Sequence, residues 1–354
     1  MLKQKSYGVS FRSWFKKRYE VRPGIRGASG ICRTSPLPGT EIMQKIIIPE
    51  NLAIRFDKFL LRDFFSDVPR AEIIRKIKRG NVLVNKKVAK PNYRLKKADI
   101  VEIDFKKPLR EIQPNPEIKI KIIFQNDDFL IIDKPAGQAV HPVNFSDNQT
   151  LVSGLLDRFP EIRNIGDKSY GSKLRPGIVH RLDKETSGVM LIARNQPTFT
   201  TLKKMFQERK MEKQYLAWVY GKFSKKEGLI EKTLSRSKNY KKQIIARENS
   251  LRKSRAAVTY YKVKKTIDDF SLLEVSPKTG RTHQIRIHLA SLGHPVVGDR
   301  LYKAPRKLRK ISAARQLLHA EKISFSFQGE IFEFQALIPL DFSCFLKGLE
   351  SGYS

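Results

Sequence analysis

The sequence predicts an α+β protein of two domains, and three observations carry that reading. At 354 residues the chain suits about two domains with a substantial core. Separate hydrophobic patterns lie on either side of a polar, Pro-rich stretch, KKPLREIQPNPE at 106–117, which reads as a linker. The apolar segments are mostly short strand patterns, with a few amphipathic helices between them.

Composition narrows the function. A hydrophobic fraction of 40% and 21 Phe fit a globular chain rather than a disordered one. The 70 Lys+Arg against 35 Asp+Glu give a net charge of +35. A field of that size concentrates polyanions and points to nucleic acid. Cys32 and Cys344, at opposite ends of the chain, offer neither a disulfide framework nor a metal spacing. His283 and His288 stand five apart, not the four of a helical zinc pair. With no G-x-G-x-x-G, P-loop or metal spacing, no cofactor and no metal are expected. The absence of a long apolar run argues against a membrane partner, and a reducing, cytoplasmic setting is the default.

Taken in order, residues 1–42 carry nine Lys/Arg and two Glu without periodicity. They read as a basic flexible tail or as the product of a start assigned upstream of Met43. Organelle targeting is the weaker alternative, because no amphipathic run supports it. Residues 43–105 form a compact basic unit. One amphipathic helix begins at Arg55-Phe56-Asp57-Lys58-Phe59-Leu60-Leu61. A second is capped by Ser66 or Asp67, runs through Arg70, Ile73, Ile74 and Ile77, and stops at Gly80. Strand patterns follow at 82–85 and 100–103. Arg70, Arg75, Lys76, Lys78 and Arg79 decorate the second helix; a solvated face is the plain alternative.

The larger domain, 118–345, opens with strand patterns at 120–124 and 129–132 and the turn of DKPAGQAVHP. Its chemistry concentrates in RPGIVHRLDKETSGVMLIAR at 175–194. The apolar run Val189–Ala193 reads as a buried strand, which places Asp183 on the loop before it, beside His180, Arg181 and Leu182. A carboxylate beside an arginine is a plausible nucleophile or base, although an Arg-x-Asp in a loop is commonly only a surface ion pair. A basic amphipathic helix is expected over 199–212, then an alternating strand at 213–221 that contains Tyr215. Residues 222–256, dense in Lys and Arg, read as a basic loop. A strand at 271–275 leads to a turn and a helix with Thr282 as N-cap, with Ile285, Ile287 and Leu289 among its apolar positions. Closing strands are expected at 317–320 and 332–336.

HRLDKETSG resembles the signature of the RluA-type pseudouridine synthases. DKPAGQAVHP, K-x-Y-x-A-x-V-x-G and KTGRTHQIRIHLASLGHPVVGD resemble the other motifs of that family, in its order and spacing. Residues 50–105, with their basic second helix, G-x-V-x-V-N and closing strand, resemble the RNA-binding domain of ribosomal protein S-four type. The resemblance spans 50–340. It implies a large mixed, mainly antiparallel sheet flanked by helices. It also implies cofactor-free isomerisation of uridine in structured RNA, above all large-subunit ribosomal RNA, with transfer RNA open, by a monomer. Asp183 would be the catalytic carboxylate, Arg281 its partner, and Tyr215 the active-site phenol that stacks on the base and helps remove the proton from C5. Arg181 would hold the space of the flipped base; Leu182, Ile285 and His180 would line the site. The alternative from another class is a non-catalytic RNA-binding or ribosome-assembly factor, which would require an empty site.

Overall fold

A computed structural model describes residues 43–52, 54–65, 68, 70–104, 111–143, 147–167, 170–237, 242–246, 254–304 and 313–351. The tail 1–42 and the candidate caps Ser66 and Asp67 lie outside that set. The chain divides into two compact units between Arg110 and Glu111, with Lys168–Gly171 grouped with the first.

In the first unit, strands β1 (Met43–Ile47), β2 (Val82–Val84) and β3 (Ile100–Asp104) form an antiparallel sheet in the order β1-β3-β2. Helices α1 (Phe56–Asp63) and α2 (Arg70–Lys78) accompany it. Phe56, Phe59 and Leu60 of α1 and Ile73 and Ile77 of α2 recur at helical spacing, and they bury with Val82, Val101 and Ile103. Past α2, Gly80 adopts φ 76°, the left-handed conformation glycine supplies at helix ends. Asp57 is fully buried and accepts from Arg55 (3.1 Å) and Arg70 (2.6 Å). Burial opposes its charge, yet the two guanidiniums prevail and hold the carboxyl below its ordinary value. Arg70 thus ties α2 to α1. Arg75 bonds Glu72 at 2.9 Å and Lys76 lies 5.9 Å from the Phe65 ring centroid, while Lys78 and Arg79 are exposed.

The second unit is built on a ten-stranded mixed sheet. Its strands are β4 (Lys121–Gln125), β5 (Phe129–Lys134), β6 (Ser187–Ala193), β7 (Glu212–Tyr220), β8 (Glu227–Arg236), β9 (Gln243–Ile245), β10 (Ser254–Ile267), β11 (Phe270–Pro277), β12 (Leu318–Phe327) and β13 (Glu330–Gln335). The order is β4-β5-β6-β12-β7-β11-β10-β8-β9, with β13 on β12, and among these described strands the β6–β12 pair alone is parallel. Helices α3 (Leu151–Arg158) and α4 (Gln196–Gln207) pack with β5 and β6. Alternation along β7 splits the rest of the core. Ala217 and Val219 bury with α5 (Gln284–Ala290), whereas Leu216, Trp218 and Tyr220 bury with α6 (Leu340–Glu350). Among the described residues no helix is long and apolar enough to cross a membrane.

Several boundaries differ from expectation. Within the stretch read as a basic loop at 222–256, Glu227–Arg236 (β8), Gln243–Ile245 (β9) and the first residues of β10 are paired strand; Ile230 and Leu234 of β8 turn inward while Glu231 and Thr233 between them stay outside. Residues 111–117, read as linker, are packed: Ile112 is buried, and Asn115 donates to the Asn148 carbonyl at 3.1 Å. Helix α4 stops at Gln207, and Arg209 turns the chain with φ 61°. The residue before α5 is His283 at φ 55°, not Thr282 as cap. The C-terminal helix continues past 345 to Glu350.

Gly188 marks the tightest approach in the sheet. Its φ is 117°, and a Cβ there would lie 2.0 Å from the Ala320 carbonyl oxygen across the β6–β12 pair. Gly188→Ala is expected to cost about 3 kcal/mol or more through strain and overpacking together. Gly137→Ala has φ 82° but open space, so it should cost about 1 kcal/mol. Urea unfolding of both variants measures the difference; equal midpoints would mean that β6 and β12 do not approach this closely.

Candidate active site

The loop that carries Asp183 is held by its backbone. Lys134, fully buried at the end of β5, donates to the carbonyls of Pro135 (2.7 Å), Gln138 (3.0 Å) and Lys184 (3.0 Å). Burial draws its pKa down to about 7, against the attraction of Glu185. Its three carbonyl partners use all three N–H groups of an ammonium. From the other side, buried Arg315 donates to the carbonyls of Glu185 (3.1 Å) and Leu318 (3.2 Å) and to Ser187 Oγ (3.2 Å). Asp341 of α6 fixes that guanidinium at 2.6 and 2.9 Å. His180 is committed too. Its Nε2 accepts the Leu191 N–H at 2.9 Å, and its ring stacks on Phe206 with centroids 4.7 Å apart. Burial lowers its pKa to about 3, so the imidazole stays neutral and serves as a strut beneath the loop.

Asp183 meets α5 through a buried guanidinium. Arg286 Nη1 donates to Asp183 Oδ2 at 2.9 Å, while its Nε and Nη2 donate to Asp299 at 2.6 and 2.8 Å. Side-chain exposure is 5% for Arg286, 0% for Asp299 and 19% for Asp183, so only the last of the three faces solvent. Burial disfavours the guanidinium's charge, but the two carboxylates more than compensate and raise its pKa further. Asp299 also accepts the N–H groups of Leu301 (2.8 Å) and Tyr302 (3.0 Å). Burial works against its ionisation, yet these donors and Arg286 hold its pKa below the ordinary value.

The expected pairing of Arg281 with Asp183 is therefore corrected: the partner is Arg286. Arg281 lies in the turn before α5, where its Nε reaches the Ala256 carbonyl at 3.4 Å. Burial and the neighbouring cations Arg255 and Arg209 lower its pKa. The turn is fixed by buried Gln284, whose Oε1 accepts from Thr279 Oγ1 (2.6 Å) and the Arg281 N–H (3.0 Å) and whose Nε2 donates to the Val258 carbonyl (2.9 Å). Sequence reasoning also passed over Asp299. Its signal was available as the closing acid of GHPVVGD, a carboxylate ending the same motif that carries Arg286.

Alternation along β7 places Lys213, Tyr215, Ala217 and Val219 on one face. The first two reach a cavity of about 550 Å³ whose walls also include His180, Arg181, Leu182, Asp183, Arg281, Ile285 and Arg286. Lys203, Arg209 and Lys278 add positive charge, and Asp183 is the one carboxylate among the described lining residues. Burial and then the Asp183 charge push the Tyr215 phenol well above its ordinary pKa, so it keeps its proton. Burial, followed by repulsion from Lys278, brings Lys213 down to about 8. Leu182 and Ile285 are buried apolar wall, and Arg181 is exposed at the loop. Among the described residues no cluster of His, Cys, Asp or Glu is placed to hold a metal ion.

This architecture has relatives. Residues 128–291 match the family described as RNA pseudouridylate synthase, and residues 54–101 match the S4 domain. A chain of Aquifex aeolicus described as an uncharacterized RNA pseudouridine synthase is 37% identical over 307 residues, covering 84% of this chain and 94% of that one. Ribosomal large subunit pseudouridine synthase D of Xanthomonas campestris is 31% identical over 319 residues, covering 87% and 92%. The solved structure of human RNA pseudouridylate synthase domain containing 1 aligns with a TM-score of 0.52 at 24% identity, over 68% of this chain and 98% of that one, a likeness of fold. With relatives matching along more than four fifths of its length, this chain belongs to the RNA pseudouridine synthase family.

Proposed function

We propose that this enzyme isomerises uridines of large-subunit ribosomal RNA in the cytoplasm, with Asp183 acting at the ribose. The observation that carries the reading is a lone carboxylate in a cationic cavity, gripped at one oxygen by a buried arginine. The Arg286 bond falls on Oδ2, and among the described residues Oδ1 makes no hydrogen bond. Its lone pairs are therefore available to attack C1′ or to accept a proton from the sugar. A stacked, paired base cannot bring its ribose against a carboxylate in the wall of this cavity, so the uridine must leave its stack first. Leu182 and Ile285 supply apolar wall, and Arg181 stands at the loop to fill the vacated space. The Tyr215 ring offers a stacking platform. Its phenol, which keeps its proton, is a hydrogen-bond donor suited to a uracil carbonyl as the base departs with negative charge.

The two arginines take different roles. Arg281 has no carboxylate partner among the described residues, and with Arg209, Lys203 and Lys278 around the cavity it complements phosphates beside the target. Arg286 orients the reacting carboxylate. The relatives named for the ribosomal large subunit, together with the S4 match, favour that RNA as substrate. On the first unit, Lys78, Arg79, Lys76, Arg75 and the outward part of Arg70 are the candidate phosphate contacts.

Asp183→Asn keeps the shape but removes the nucleophile. It should bind RNA normally and lose pseudouridine formation by several orders of magnitude in a single-turnover assay on saturating RNA. Conversion within about tenfold of wild type would take the central role from Asp183 and favour an RNA-binding factor.

Arg286→Gln strands buried Asp299 without its partner, which is expected to cost about 3–5 kcal/mol of stability along with activity. Arg281→Gln should leave the melting temperature nearly unchanged and the saturated rate intact. It should weaken RNA binding and flatten the log–log salt slope by about 0.7 for each single-strand phosphate that is no longer neutralised. Reversed outcomes for the two variants would restore Arg281 as the partner of Asp183.

Tyr215→Phe preserves a stacking surface worth about 1–3 kcal/mol per base and deletes the donor. Affinity should hold while turnover falls; an unchanged rate would leave Tyr215 as a platform alone.

A further inference from the structure

The proton on C5 of the target base needs an acceptor, and the cavity holds a histidine that the reading above leaves without a role. We propose that His283 is a further catalytic residue, the base that takes the C5 proton and returns a proton to N1. This rests on the functional reading above and deepens it.

His283 sits at φ 55°, a left-handed conformation uncommon outside glycine, immediately before α5. Its ring lines the cavity, with the side chain 16% exposed. Nδ1 lies 3.2 Å from the Tyr302 hydroxyl. That hydroxyl donates to the Gln243 carbonyl at 3.1 Å and accepts the Gln243 N–H at 3.0 Å. With its one hydrogen spent on Gln243, Tyr302 receives from His283, so Nδ1 carries the imidazole hydrogen. Nε2 is left with a lone pair. It stands 3.9 Å from Asp183 Oδ2, too far for a hydrogen bond, as suits two acceptors facing each other. A strained backbone thus directs an unprotonated ring nitrogen to the reacting carboxylate.

The groups facing this ring are Asp183 and Arg181 from the loop, Arg286 from α5, Asp299, and Tyr302. Burial first, then Arg286 and Arg181, outweigh the two carboxylates and keep the histidine below its ordinary pKa. The ring is therefore a neutral base near pH 7. Once protonated, its imidazolium lies beside the Asp183 carboxylate.

The step balances without any co-reactant. The N1–C1′ bond breaks and the C5–C1′ bond forms, after which C5 bears both the ribose and its original hydrogen. The C5–H electron pair restores ring conjugation as the proton passes to Nε2, and N1 gains a proton in exchange. No electrons are gained or lost and no proton is consumed overall.

His283→Asn tests this, because asparagine tolerates positive φ but cannot accept a proton; His283→Gln is made in parallel. Single turnover is followed on saturating RNA whose target uridine carries hydrogen or deuterium at C5, with affinity and melting measured alongside. Both variants should fold and bind RNA as wild type does, and their rates should fall about 10²–10⁴-fold. Deuterium should slow the variants further while leaving wild type unaffected. The acid limb of the wild-type profile, lying below the ordinary histidine range, should vanish. Turnover within about tenfold of wild type, or a loss with no isotope effect and an unchanged acid limb, would overturn the role and leave His283 as packing. Wild-type protein that leaves the uridine unmodified would instead overturn the functional reading beneath it.

Discussion

The Arg286 guanidinium lies between Asp183 and Asp299, nearly out of reach of water, and spends its Nε and both terminal nitrogens on the two carboxylates. A charge in that position is tolerable only with its partners in place, since removing one leaves the others buried and uncompensated. The three residues come from a loop before β6, from α5 and from the turn after it. None of these elements can settle without the others. Placement of the Asp183 carboxylate is therefore a product of folding the whole unit rather than a property of its loop.

Around that centre the chain uses cations to hold backbone. Lys134 gathers three carbonyls, and Arg315 clamps the Glu185 carbonyl just before β6 and the Leu318 carbonyl of β12. These side chains fix the loop without drawing on its carboxylate. Toward solvent the logic reverses. The lining cations Arg181, Arg209, Lys278 and Arg281 have no carboxylate among the described lining residues except Asp183, which Arg286 already holds. The cavity is thus left with an excess of positive charge.

Much of this is legible in the sequence. The run Val189–Ala193 forms a strand because five apolar residues bounded by charge have nowhere to go but the core. Tyr215 faces the cavity because a period of two places it with Ala217 and Val219. What was not legible depends on distance in the chain. Arg281 and Arg286 look alike in a string, and only the docking of α5 decides which is inside; the short step from a loop arginine to a helix arginine carries no signal in charge or hydropathy. The dense Lys and Arg of 222–256 likewise hid the inward Ile230 and Leu234 of β8, since a ribbon with one wet face has the composition of a loop. Asp299 closes the same motif as Arg286, but the glycines and proline around it read first as a turn.

Strand β12 shares one edge between two neighbours. Only Ser187 and Gly188 of β6 pair with it, and β13 takes over from Lys322 onward. The broad sheet is in effect two panels, β4-β5-β6 and β12-β7-β11-β10-β8-β9, stitched by two residue pairs at the Gly188 contact. Asp183 leads into the first panel, whereas Tyr215 belongs to the second and Arg286 packs upon it. The span from carboxylate to guanidinium is thus a strut across a fold line, and any change in the dihedral angle between the panels would be transmitted to the Asp183 carboxylate.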